Sequence, residues 1–180
     1  MKGIVFSEFI EMVEDAFSPE IADQIIMETN PESEGAYTSV GTYDHSELVA
    51  MVVKLSEITS TPVPELIKAF GNYLMTRFTK LYPAFFEEIE NTFQFLSTIE
   101  NHVHVEVNKL YPDAELPTFD TEQTDDSTLV MEYKSARPFA DLAEGLIRGA
   151  ADFFNENIEV SREDLSGGVG NHARFTLTKV

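Results

Sequence analysis

Three hydrogen-bond donors recur at alternate positions late in the chain: Tyr133, Ser135 and Arg137. Side chains at i, i+2 and i+4 of an extended segment share one face. A phenol, a hydroxyl and a guanidinium side by side form a clamp for carboxylates or phosphates. Any solvated strand carries such residues too, so the motif takes its meaning from its surroundings. The relevant neighbour in sequence is His104, 29 positions before Tyr133, which offers an imidazole to a metal on the same ligand.

Haem has both requirements, an iron that takes an axial imidazole and two propionates that take donors. Tyr-x-Ser-x-Arg following such a histidine resembles the H-NOX family, the haem nitric oxide/oxygen-binding domains. The resemblance is wider than the motif. Met1-Lys2-Gly3-Ile4-Val5 is similar to the family's amino terminus, and Asn101 to Leu110 to its proximal helix. Pro117 follows His104 by 13 positions, where the family places a proline against the haem.

The resemblance implies haem b, with His104 as axial iron ligand and Tyr133, Ser135 and Arg137 on the propionates. It implies that Pro117 presses the haem out of plane. It also implies a distal pocket of Val5, Phe9, Leu74, Phe78 and Leu142, all apolar. Oxygen-binding members carry a tyrosine where this chain has Leu142, five residues past Arg137. Distal donors decide ligand choice at haem, so the expectation is a ferrous haem that takes nitric oxide and carbon monoxide and excludes dioxygen. Nitric oxide is then expected to loosen the iron bond to His104, biasing a two-state element. The output is expected from a separate partner, a histidine kinase or a cyclic-di-GMP enzyme (diguanylate cyclase or phosphodiesterase), in a bacterial cytoplasm.

Two other classes compete. A haem enzyme, such as a peroxidase or nitric oxide dioxygenase, needs a polar distal base to move protons, and the five distal residues supply none. An acidic adaptor without cofactor would use Tyr133, Ser135 and Arg137 as solvated polar groups only. The expectation is therefore a sensor and not an enzyme.

Composition narrows the choice further. Lys+Arg 12 against Asp+Glu 32 gives a net charge of −20, a field that repels nucleic acid and anionic lipid. It repels a haem dianion as well, so propionate capture has to come from local donors such as Arg137. With no cysteine, disulfides and thiolate ligation are excluded. No apolar run reaches the roughly 18 residues of a membrane span, and the acidic amphipathic start is unlike a secretory signal.

The elements that must position these residues can be read from periodicity and punctuation. Val5, Phe9, Met12, Val13 and Phe17 recur at helical spacing. Ser18-Pro19 starts a second helix, ended by Asn30-Pro31. Residues 32–43 read as a loop, and Asp44 caps a helix to about Ser60. Pro64 opens a long helix to Leu81, a short one covers Ala84 to Glu90, and a single helix is expected from Thr92 to Leu110. Thr128 to Tyr133 is strand-like after an Asp125-Asp126-Ser127 turn. Pro138 to Asn155 returns to helix, and Ile158–Leu165 with Ala173–Val180 reads as a hairpin around the 167–170 glycine cluster.

Helices first, then an antiparallel sheet with a packed helix, imply an α+β fold, as the resemblance does, with the haem between the two parts. One domain of 180 residues is expected, with a distal helical subdomain over 1–60 and a proximal one with the sheet over 61–180.

Periodicity leaves the ligand histidine open. His102 and His104 lie roughly 200° apart on a helix and cannot share one iron. Both flank the stripe Leu96, Ile99, Val103, Val107 and Leu110 at similar angles. The resemblance selects His104 by its spacing to Pro117 and Tyr133, and His102, His45 and His172 are read as surface histidines.

Overall fold

Helix punctuation acts where the residue chemistry places it. In a computed structural model describing all 180 residues, α1 (Gly3–Ala16) is followed by α2 (Pro19–Thr29), whose N-cap Ser18 accepts from the Ile21 N–H. Asn30 ends α2 in the left-handed conformation, which asparagine tolerates. Asp44 caps α3 (His45–Thr59) through the Ser46 N–H at 2.8 Å. Pro64 falls in the first turn of α4 (Val63–Leu81), where its missing N–H costs nothing. The expected short helix is one 3₁₀ turn, Pro83–Phe86.

The expected single helix from Thr92 to Leu110 is in fact three segments. An α-helix, α5 (Thr92–Thr98), passes into a π-helical turn (Ile99–Val103) and resumes as α6 (His104–Leu110). The His104 N–H bonds the Ile99 carbonyl, five residues back. Such a widened turn shifts the phase of every later side chain, and wide turns of this kind gather at functional sites. The apolar stripe therefore holds only in part. Leu96 is buried and Ile99 and Val103 pack on the core, but Leu110 is 64% exposed.

Four antiparallel strands follow: β1 (Thr118–Asp125), β2 (Thr128–Lys134), then α7 (Ala140–Phe153), β3 (Ile158–Asp164) and β4 (His172–Lys179). Their order in the sheet is β1-β2-β4-β3, so the last strand is inserted between two earlier ones. The fold is α+β, with six helices ahead of the sheet and α7 between its strands.

Alternation gives the sheet one dry face. Leu129, Met131 and Tyr133 on β2 and Ala173, Phe175 and Leu177 on β4 are buried, and Ala143, Ile147 and Ala150 of α7 join the same core. The carboxy-terminal half of α4 meets α7 at two glycines. A Cβ on Gly71 would lie 2.5 Å from the Leu142 carbonyl oxygen, and one on Gly149 2.7 Å from the Met75 Cβ. Only glycine allows so close an approach there.

The chain divides into two compact units, Met1–Phe70 and Gly71–Val180. The first is built on Phe6, Phe9, Val13, Ile25, Met51 and Leu55, all essentially inaccessible. No helix is long and apolar enough to cross a membrane.

Candidate haem site

His104 begins α6 directly after the π turn, with its side chain 15% exposed. Its Nδ1 lies 2.8 Å from Glu100 Oε1. A carboxylate only accepts, so Nδ1 donates and Nε2 is the nitrogen left for a metal. Burial pushes the His104 pKa down, against the pull of Glu100. A lowered pKa favours the neutral ring that metal ligation requires.

His102, two residues earlier, is exposed, with its ring set edge-on to Phe85 at 5.7 Å. His45 stands beside Asp44 at 3.6 Å. His172 is half-buried on β4 and bonded to Glu132 at 3.0 Å, which is less solvated than a surface reading implies. The burial difference between His102 and His104 is what periodicity alone did not supply.

The Tyr133-x-Ser135-x-Arg137 segment is not three donors on one strand face. Regular strand ends at Lys134, although the Ser135 N–H still bonds the Asn171 carbonyl at 2.9 Å. Beyond it the chain turns toward α7, and the three side chains take separate tasks. Tyr133 is buried beneath the sheet, its hydroxyl 3.5 Å from the Arg137 carbonyl, and burial raises its pKa. Ser135 Oγ accepts from the Arg137 N–H at 3.0 Å. The Arg137 guanidinium donates to the Glu115 carbonyl at 2.9 Å and to the Glu115 carboxylate.

Aromatic contacts link the two halves of the motif. The His104 ring lies 6.1 Å from that of Phe119, and Phe119 lies 5.5 Å from Tyr133, its register partner across β1 and β2. Pro117 stands between Glu115 and Phe119 in sequence and is half-buried. Leu74 is buried on α4, while Phe78 on α4 and Leu142 on α7 are half-buried. Val5 and Phe9 lie on α1 in the first unit, where Phe9 packs edge-on against Phe70 at 5.2 Å.

The donor chemistry fits haem. A neutral imidazole keeps one nitrogen for iron, and Arg137 already holds a carboxylate, the group a propionate would present. Sequence reading missed three participants: Glu100, Glu115 and Phe119. Glu100 had a signal, since i and i+4 meet on a helix. The Glu115–Arg137 pairing spans 22 residues and had none.

Fold and donor set suit a haem-binding domain, and comparison with known proteins places the chain in such a family. The haem-NO-binding family (HNOB) matches residues 2–162. The H-NOX protein of K. algicida in its unliganded Fe(II) state is 38% identical, with a TM-score of 0.93 over 100% of this chain and 97% of that one. The IWP-051-bound H-NOX of Shewanella woodyi in its Fe(II)CO state is 42% identical, with a TM-score of 0.85 over 100% and 95%. An H-NOX protein of S. oneidensis in its Fe(II)NO state is 25% identical, with a TM-score of 0.92 over 100% and 99%. Comparison with curated proteins gave no match.

The chain belongs to the H-NOX family of haem-based gas-binding domains. This is a family of sensor domains that are generally non-catalytic.

Proposed function

We propose that this protein senses nitric oxide through haem b held by His104, excludes dioxygen, and regulates a separate signalling protein in a bacterial cytoplasm. The observation that carries the reading is His104 itself, a half-buried imidazole whose Nδ1 is committed to a carboxylate. When bound, haem would supply a ferrous iron that takes a diatomic gas, and His104 Nε2 would hold that iron.

The chain's own groups do the rest. Arg137, which holds the Glu115 carboxylate here, would hold a haem propionate in its place. The Ser135 and Tyr133 hydroxyls add donors beside it. Pro117, with its fixed φ, stiffens the approach to β1 and would bear on the haem. The side chains of Val5, Phe9, Leu74, Phe78 and Leu142 end in carbon and offer a gas no hydrogen bond. Dioxygen recognition draws on such a donor, whereas nitric oxide and carbon monoxide need little.

For the output partner, a histidine kinase or a cyclic-di-GMP enzyme, the −20 charge favours a basic docking face. Visible spectra of the ferrous protein test the gas assignment. They are expected to change with nitric oxide and with carbon monoxide and to stay constant in air. Leu142→Tyr replaces an apolar side chain of α7 with a phenol and is expected to add an oxygen-dependent spectrum. A wild-type oxygen complex stable in air contradicts the proposal.

A further inference from the structure

We infer that Glu100 is the positioning residue of the His104 imidazole: one carboxylate oxygen decides which ring nitrogen is left for iron and pins the ring to the start of β1. The inference rests on His104 being the iron ligand, as proposed above.

Glu100 Oε1 takes two donors, His104 Nδ1 at 2.8 Å and the Phe119 backbone N–H at 3.0 Å. With Nδ1 donating, Nε2 is unprotonated and its lone pair is available. A carboxylate behind a ligating imidazole also makes the ring a stronger donor to metal and holds its orientation. The π turn belongs to the same arrangement, because Glu100 lies within it and His104 closes it through the bond to the Ile99 carbonyl.

An ordinary i,i+4 pair on a solvated helix face has no strand amide on the same oxygen. Here the side chains are 33% and 15% exposed, and the bond to Phe119 runs from helix to strand. Phe119 is the register partner of Tyr133. Ring orientation at His104 and the seating of β1 beside Tyr133 are therefore not independent.

Glu100→Gln tests this with little risk to the fold, since glutamine keeps the size and an acceptor oxygen and removes only the charge. In the ferrous unliganded protein, resonance Raman is expected to show a lower iron–histidine stretching frequency than wild type. Haem transfer to apomyoglobin is expected to be about 10–100-fold faster, with an unchanged circular dichroism spectrum. An unchanged frequency and an unchanged transfer rate overturn the inference.

A second readout needs no haem. Nitrogen-15 NMR of the apoprotein is expected to show the Nδ1–H tautomer at His104, and an Nε2–H tautomer overturns it. If His104→Gly keeps an unaltered haem spectrum, the ligand assignment fails instead, and the apoprotein measurement still decides whether Glu100 holds the ring.

Discussion

At the scale of single residues, function turns on which polar groups have a partner and which keep an open valence. His104 gives one nitrogen to Glu100, whereas the exposed His102 sets its ring edge-on to Phe85. Spacing alone could not separate them, because an even helical wheel sets both beside the apolar stripe. Burial separates them, and burial depends on how β1 folds back over the helix. Glu132 shows the other kind of partnering. Lys134 first, then His172, lowers its pKa from 4.5 to about 2. A depressed carboxylate pKa stabilises the fold above the unfolded value and loses that effect as pH falls through the folded one. The stability difference between wild type and Glu132→Gln in urea is therefore expected to be full above about pH 5 and to fade toward pH 2. A difference that does not vary over that range would contradict the assignment.

At the scale of elements, caps and breakers were legible and long-range geometry was not. Ser18, Asn30, Asp44 and Pro64 act within one turn of themselves, so their effects can be read directly from sequence. The π turn before His104 carries no glycine or proline to announce it, and the departure of the chain from strand at Lys134 is set by the turn into α7. The separate placements of Tyr133, Ser135 and Arg137 were therefore not legible from their spacing. The close crossing of α4 and α7 was equally silent. Alanine at Gly149 gains about 1 kcal/mol in helix propensity. Its Cβ, however, would stand 2.7 Å from the Met75 Cβ and 3.0 Å from the Asn72 carbonyl oxygen. Overpacking of this kind costs about 1–3 kcal/mol, so denaturant unfolding is expected to show Gly149→Ala as the less stable protein. A stabilised variant would mean that the two helices separate freely.

At the scale of the molecule, the order of elements was readable because hydrophobic period changes from helical to alternating near Thr118. The insertion of β4 between β2 and β3 was not, since strand order depends on pairing across distant segments. The −20 charge repels a haem dianion, so on the proposed reading haem capture falls to local donors such as Arg137 rather than to the overall field. The account rests on one imidazole, so the most direct measurement is the absorption spectrum of protein purified from haem-replete cells, wild type beside His104→Gly. The wild type is expected to carry a haem Soret band. The variant is expected to lose it and to regain it when free imidazole is supplied. Colourless wild type, or a variant whose band persists unaltered without imidazole, would contradict the account.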